Sequence, residues 1–354
     1  MRKKIHKYLP AHFHDPVGLA LRLLKSRDPA ACFAMASAAA GILCAPLDML
    51  LTPFEQSCYR QQATTQHPLL FVCGPPRSGT TLVYQTLVQH LPVAYFPNLT
   101  ALFPRSPLTA MRLFGRLLRR PTAEYRSFYG KTRSLSGTND ALYLWDRWLG
   151  SDRTRPARQL TQNQRDQMRQ FFAACRHVFD QPLVNKNNNL NVSAHLVAEA
   201  VEQVHFICLT RDRRELAQSL YRARCEIHGS PSVPYGLTAA SVEQAHRAAI
   251  DPVQSVCDQV AFFDQVHQQQ QQRLGEDRFW IVSYEDFCRR PGDLVQRVAR
   301  KILHHPAGVR GPLPAAFQRS QKKKVSDDVA ARIDALLDKT SAPAVRLNFV
   351  PERS

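Results

Sequence analysis

The chain has 354 residues, enough for one large α/β domain with insertions around a sizeable buried core. Its 47 lysines and arginines against 29 aspartates and glutamates leave a formal net charge of +18, a field that suits polyanions: a phosphorylated donor, an anionic glycan, nucleic acid or an anionic membrane surface. No zinc-spaced Cys/His set, RNA-binding aromatic signature or compact basic arm accompanies that charge, which argues against nucleic acid, and nine cysteines without close pairs fit reduced thiols in a cytosolic protein.

Residues 1–60 differ from everything after them. Arg2, Lys3, Lys4, Lys7, Arg22, Lys25 and Arg27 precede an uncharged, alanine-rich stretch from Pro29 to Leu47, which continues through Asp48 to Leu51. A secretory signal starts its apolar region nearer the first residue and leads to a convincing cleavage site, and this stretch does neither. Two readings rank level: a monotopic membrane segment with its basic residues on the cytoplasmic side, and a soluble helical hairpin packed on the domain. A true span ranks below both, because alanine contributes little and Pro46 and Asp48 interrupt the far end. The expected organisation is thus a basic and apolar helical segment over 1–60, in possible peripheral contact with a membrane, and one α/β domain over 61–354.

An unbroken apolar run over 69–73 predicts a buried strand, Gly74 to Gly79 a loop, and Leu82, Leu87 and Val88 a helix. The first amides of such a helix lack partners within it and the helix dipole adds positive charge, so an anion belongs there. A nucleoside triphosphatase loop reads G-x-x-x-x-G-K-[ST]. Here Gly74-x-x-x-x-Gly79 keeps the spacing, but Thr80 stands where the lysine belongs and the cation lies inside the loop as Arg77. This Pro-Arg-Ser-Gly-Thr-Thr arrangement resembles the 5'-phosphosulfate loop of the sulfotransferase family, whose donor is 3'-phosphoadenosine 5'-phosphosulfate (PAPS). The resemblance implies an α/β three-layer sandwich with a central parallel sheet and a P-loop-like phosphosulfate-binding strand-loop-helix. It also implies donor contacts from Pro76, Arg77, Ser78, Gly79, Thr80 and Thr81, and a reaction that requires no metal.

Leu91 to Thr100 reads as a second strand and its exit loop. In tyrosylprotein sulfotransferases and related enzymes a glutamate about twenty residues beyond the loop arginine serves as the base. That position holds Asn98, whose amide can hydrogen-bond an acceptor and cannot take its proton. Farther on, Arg112, Arg116 and either Arg119 or Arg120 fall on one helical face, read equally well as solvated or as touching an acidic acceptor or membrane headgroups. Gly137 opens a predicted capped helix with Asn139 or Asp140 near its start. Asp140 has two readings, helix cap and replacement base, with His90, Asp146 and Asp152 as weaker choices for the base. Trp145 and Trp148 are core residues, or platforms for a sugar or a lipid.

A polar helix from Thr161 to Phe179 leads to a short buried strand at Leu183 and Val184, with Lys186 emerging at its carboxyl end, where open α/β sheets place their ligands. It resembles the family segment in which a lysine contacts the sulfuryl group in flight. A strand from Val204 to Leu209 ends at Arg211, and a helix from Arg213 carries Ser219. An arginine fork and a hydroxyl so spaced can converge on one phosphate, and they look like the family's 3'-phosphate motif, although Ala223 replaces a further family arginine. Gly229 to Leu237 is long enough to form a lid over the acceptor, followed by a helix from Ala239 past Gln272. Arg278 to Ser283 is a last strand leaving at Tyr284, similar to the family signature whose tyrosine lies near the adenine. Tyr284 as a core aromatic is the other reading. Ser320 and Lys322 to Lys324 form a basic loop ahead of a helix from Asp327 to Leu337. It resembles a family loop that closes over the 3'-phosphate, and solubility charges are the simpler reading. The sequons at Asn98 and Asn191 are short patterns of little weight.

Together the motifs imply sulfuryl transfer from PAPS, with Arg77, Lys186 and Asp140 in catalysis and Arg211, Ser219 and Tyr284 completing the donor site. The expected acceptor is a small molecule, glycan or lipid bearing a hydroxyl or amine, and the expected place is the cytoplasm or the cytoplasmic face of a membrane. Two rivals remain on the same residues: a P-loop kinase using ATP and magnesium, disfavoured by the missing loop lysine, and a nonenzymatic polyanion or membrane adaptor, motivated by Asn98.

Overall fold

The computed structural model describes residues 28–60, 66–118, 127–152, 154, 157–238, 249–319 and 325–339, with single positions 18, 21, 22, 25 and 125. Four parallel strands form the sheet: β1 (Leu69–Cys73), β2 (Leu183–Lys186), β3 (Val204–Thr210) and β4 (Phe279–Ser283), in the order β2-β1-β3-β4. Each side chain of β1 is buried because helices cover both faces, which is why its sequence is apolar without alternation. The period of two still sorts its residues. Leu69, Phe71 and Cys73 face a core shared with Trp145, Phe172, Phe206 and Phe279, while Leu70 and Val72 face one shared with Val83, Leu87, Ile207 and Val298.

Helices α1 (Pro29–Tyr59), α2 (Thr80–His90), α3 (Pro107–Phe114), α4 (Leu142–Leu149), α5 (Gln162–Phe179), α6 (Leu190–Ala200), α7 (Arg213–Ala223), α8 (Pro252–Leu274), α9 (Tyr284–Arg289), α10 (Pro291–Lys301) and α11 (Asp327–Lys339) surround this sheet. The chain leaves β1 toward β2 on one side and returns past it to β3 on the other, so the carboxyl ends of β1 and β3 border a topological switch point. The phosphate loop and Arg211 both emerge there. This is the three-layer α/β sandwich expected from the motifs.

Several local expectations differ. The second strand is reduced to a single bridge, in which Ala94 pairs in parallel with Leu183 and exchanges hydrogen bonds with Pro182 and Val184. Pro92 and Pro97 flank it, and each lacks the amide a longer ladder needs. Of the long helix predicted from Ala239, residues 239–248 lie outside the described residues, Ala249 and Ile250 are helical, and after a break at Asp251, which accepts from the Gln254 amide, α8 begins at Pro252. Trp145 and Trp148 are buried in the aromatic core, which removes them as platforms for a sugar or a lipid. Asn98 and Asn191 are buried as well. Arg119, Arg120, Ser320 and Lys322 to Lys324 lie outside the described residues.

Helix α1 packs along α3, α5 and the 3-10 turn Asn98–Leu102. Asp28 caps it, accepting from the Ala30 and Ala31 amides, and Pro29 sits at its first position, where no intrahelical amide partner is lost. Asp48 and Glu55 share its inner face two turns apart, 0% and 1% exposed. Asp48 accepts from the Arg105 amide (3.1 Å), the Ser106 amide (3.0 Å) and the Ser106 hydroxyl (2.6 Å). Glu55 accepts from the Thr109 amide (2.8 Å) and hydroxyl (2.9 Å) and from the Leu108 amide (3.3 Å). These are the amides at the amino end of α3, and Ser106 makes no side-chain cap of its own. One helix therefore caps the next through its carboxylates. Burial still outweighs those bonds at Glu55 and pushes its carboxyl above the usual range.

Candidate active site

The phosphate loop is held from both sides. Gly79, at φ 93°, occupies a left-handed position, and a β-carbon there would run into the Tyr284 ring, so only glycine lets that ring close on the start of α2. Over the same ring lies the Arg211 guanidinium, 4.9 Å from its centroid. Arg211 Nη1 donates to the Arg77 carbonyl (2.8 Å) and Nη2 to Glu215 (2.8 Å). Burial pushes the Tyr284 phenol up to about 12, so it is neutral at physiological pH.

Arg77 itself has φ 74°, a costly conformation for a side-chain-bearing residue and a common one at ligand sites. Its Nε donates to Ser219 Oγ (3.3 Å), and its guanidinium lies 4.5 Å from the centroid of the Tyr129 ring. Tyr129 is fixed in turn by a hydrogen bond from its hydroxyl to Glu226, which also accepts from Arg222 Nε (2.5 Å). Burial and then the Glu226 bond raise the Tyr129 phenol far above its ordinary value, so it is no base. Arg77, Arg211 and Ser219 thus form one network. Among the described residues, two buried atoms here, Arg211 Nε and the adjoining Ser78 Oγ, have no hydrogen-bond partner.

Lys186 leaves the end of β2 only 3% exposed, and its Nζ meets Asp140 Oδ2 at 2.6 Å and Thr81 Oγ1 at 3.3 Å. Gly130 lies directly above, where an added β-carbon would stand 3.4 Å from Lys186 Nζ and 3.5 Å from Asp140 Oδ2. Thr80 Oγ1 donates to Asn188 beyond the same strand (3.4 Å). Asp140 is not the helix cap. No side chain caps α4, whose first turn follows Ala141; Asn139 Oδ1 accepts from the Ala141 amide (2.8 Å) in a turn ahead of the helix.

Asn98 explains how Asp140 is aimed. Its Nδ2 donates to the Thr132 and Ser134 carbonyls (3.1 and 2.8 Å), and its Oδ1 accepts from Asn139 Nδ2 (2.8 Å). Asn185, on β2, donates to the Asn139 carbonyl (3.0 Å) while accepting from Trp145 Nε1 (2.8 Å). The residue before Asp140 is thereby clamped to the sheet. Of the weaker base candidates, His90 is buried between the Arg310 carbonyl and the Tyr125 hydroxyl (2.9 Å each), and Asp152 accepts from Thr154. Asp146 lies on α4, whose core face carries Trp145.

The loop from Gly229 to Leu237 rests on the phosphate loop. Gly236, at φ 81°, is so close to Pro76 that a β-carbon would stand 2.5 Å from its Cγ. Gln259 donates to the Tyr235 and Leu237 carbonyls (2.9 and 2.8 Å), and Arg224, fully buried and lowered to about 10 by desolvation, donates to Gln259 (2.9 Å). Sequence reasoning missed Tyr129, Glu226 and Glu215, and it offered Asn139 only as a helix cap. Arg319, which pairs with Glu215, sits at the edge of the basic loop whose lysines drew attention instead. Among the described residues no group of three or more His, Cys, Asp or Glu side chains is placed to hold a metal ion.

The sequence model of the sulfotransferase family matches residues 68–302, well over half of the chain. The chain belongs to the sulfotransferase family. That span holds all of the residues just described except Arg319 and Arg310, and membership makes the protein a transferase of sulfuryl groups. No curated protein matches the chain. Among solved structures it is similar to the sulfotransferase STF9 from Mycobacterium avium, at 13% identity and TM-score 0.47, covering 88% of this chain and 77% of that one. STF1 from Mycobacterium tuberculosis H37Rv is similar at 10% identity and TM-score 0.43, covering 90% and 85%. A sulfotransferase from Alicyclobacillus acidocaldarius follows at 14% identity and TM-score 0.39, covering 77% and 97%.

Proposed function

We propose that this sulfotransferase uses PAPS as donor and sulfates a hydroxyl of a glycan or lipid, with Asp140 as the base. The observation that carries the reading is the junction at Lys186 Nζ, where the strand end, the phosphate-loop helix (Thr81) and the overhanging loop (Asp140) meet. The loop fits the anionic end of such a nucleotide: Ser78 Oγ and Arg211 Nε are buried donors with no partner among the described residues, beside the first amides of α2. When bound, the donor supplies the activated sulfuryl group.

Every other part of the chemistry falls to the chain. Arg77, Ser78, Thr80, Thr81 and the α2 amides bind the phosphosulfate end and oppose the charge that grows on the leaving phosphate. Arg211 and Ser219 bind the 3'-phosphate, and Tyr284 stacks near the adenine. Lys186 holds equatorial oxygens in place. Asp140 exchanges its contact with Lys186 for the acceptor hydroxyl and takes its proton. Sulfuryl transfer, like phosphoryl transfer, has a loose in-line transition state, so positioning and charge do most of the catalysis. Arg22 Nη2 donates to the Ile227 carbonyl (3.0 Å), two residues ahead of the Gly229 to Leu237 loop, and a cation there together with the chain's net charge of +18 favours an acceptor with anionic surroundings, such as a lipid or envelope glycan.

Calorimetry with 3'-phosphoadenosine 5'-phosphate tests the donor. Binding without magnesium is expected, weakened about 10- to 100-fold by Arg77→Ala or Arg211→Ala. Binding of ATP only with magnesium would sink the reading.

A further inference from the structure

The segment from Pro29 to Arg60 is long and apolar enough, by length and composition, to cross a membrane. Its surroundings point elsewhere. The inner face of α1 carries the two carboxylates bonded to the amino end of α3, along with buried Ala30, Ala31, Leu51 and Cys58. A helix committed to protein along that face cannot be ringed by lipid.

The outer face is a different surface. Leu43, Leu47, Leu50 and Phe54 recur at helical spacing and are 82%, 42%, 71% and 62% exposed. From Ala36 to Phe54 this face extends about 27 Å with no charged side chain exposed on it. Leu113 and Leu117, from α3 and the turn after it, widen the strip. Pro46 and Pro53 also lie on the exposed side, and each withholds the amide that the carbonyl four residues earlier would bind. Those two carbonyls, of Ile42 and Met49, need water or headgroups, which sets a shallow depth. Beside the strip the exposed charges on α3 and its turn are Arg112 and Arg116, and Arg112 Nη1 reaches Cys58 Sγ of α1 (3.7 Å), so cations border the apolar face.

We propose that the outer face of α1, with Leu113 and Leu117, seats the protein on an anionic lipid bilayer, lying in the headgroup and acyl boundary rather than crossing it. Apolar side chains enter the boundary while Arg112 and Arg116 meet the anionic headgroups. The proposal is independent of the group transferred.

Flotation of the full-length chain with vesicles tests it. Binding to phosphatidylcholine vesicles containing phosphatidylglycerol is expected, with weaker binding to phosphatidylcholine alone. Leu43→Glu with Leu50→Glu should lower the partition coefficient at least tenfold, and Arg112→Glu with Arg116→Glu should remove most of the preference for anionic vesicles. Circular dichroism and the affinity for 3'-phosphoadenosine 5'-phosphate should not change in either pair, which separates lost docking from lost folding or a wrong donor. Absence of flotation, or flotation indifferent to Leu43→Glu and Leu50→Glu, overturns the proposal. So does a dimer that those two substitutions dissociate without any vesicle binding, since the strip would then belong to a second copy of the chain.

Discussion

Asp48 and Asp140 are both drawn away from bulk water, and the company each keeps shows what it is for. Asp48 is completely enclosed and accepts three hydrogen bonds from the backbone and side chain of a neighbouring helix start. Its bonds connect two helices, and none is free to be exchanged. Asp140 is 20% exposed and ion-paired with Lys186, which also reaches the phosphate-loop helix at Thr81, and among the described residues Ser78 Oγ and Arg211 Nε of the neighbouring loop and strand end still lack partners. A fully bonded carboxylate marks architecture. A carboxylate ion-paired at a site that still holds unpartnered donors is the kind proposed for chemistry.

The sharpest way to break that contrast is to remove Lys186. Lys186→Met is expected to cut sulfuryl transfer about 10³-fold with only a severalfold change in donor affinity, because its charge matters most in the transition state. Asp140→Asn should cost about 10²-fold in turnover. Steady-state rates with a nucleotide-binding titration separate these outcomes, and if turnover stayed within tenfold for both, the pair would be as architectural as Asp48.

At the other carboxylate the effect should appear in stability. Asp48→Ala strands two buried amides and a hydroxyl, for an expected loss of about 3 kcal/mol in denaturant unfolding. Donor affinity should be unchanged. A loss below about 1 kcal/mol would mean that α1 is held by apolar packing instead.

A third buried group connects the two regimes. His267 is 1% exposed and pairs through Nε2 with Asn191 Oδ1 (2.9 Å), while Asn191 Nδ2 donates to the carbonyl of Gly74, where the phosphate loop begins (2.7 Å). Burial lowers His267 to about 4 from an ordinary 6.5. The folded state therefore binds the proton more weakly than the unfolded one, so this stability is complete above pH 6.5 and is lost as pH falls through 4, on the order of 3 kcal/mol. Glu55, raised by burial, works in the opposite sense and loses its contribution as pH rises. Thermal melts from pH 7 to 4 should show the acid loss in the parent protein and a flatter profile in His267→Gln. Parallel profiles would remove His267 as the cause.

The placement of the Gly74 to Gly79 loop, of Lys186 and of the Arg211 and Ser219 pair was legible because each depends on a strand end followed by a turn or helix, a local pattern that periodicity registers. The sequence did not disclose what meets across the cleft. Asp140 and Lys186 lie on different elements, and the cap reading of Asp140 was as good locally, although α4 starts after Ala141 with no side-chain cap. Asp48 looked like an interruption of an apolar stretch, since nothing near it in sequence hinted that α3 would present its first amides there. Tyr129 and Glu226 carry no motif at all, and only the fold lays one under Arg77 and ties it to the other.

Asn98 brings the smallest expected effect and the finest test of the comparison. It occupies the place where a base was expected, yet its amide is spent on Thr132, Ser134 and Asn139, the architectural pattern seen at Asp48. Its influence on chemistry must then pass through the loop to Asp140. Asn98→Ala frees that loop, and turnover is expected to fall about tenfold, equivalent to about 1.4 kcal/mol in the barrier, with donor affinity unchanged. The expected signature is dependence on Asp140: in an Asp140→Asn background the further loss from Asn98→Ala should shrink toward none, because a positioning residue has nothing left to position. Full additivity of the two losses would instead place Asn98 itself against the acceptor, and the amide would belong with Lys186 and Asp140 rather than with Asp48.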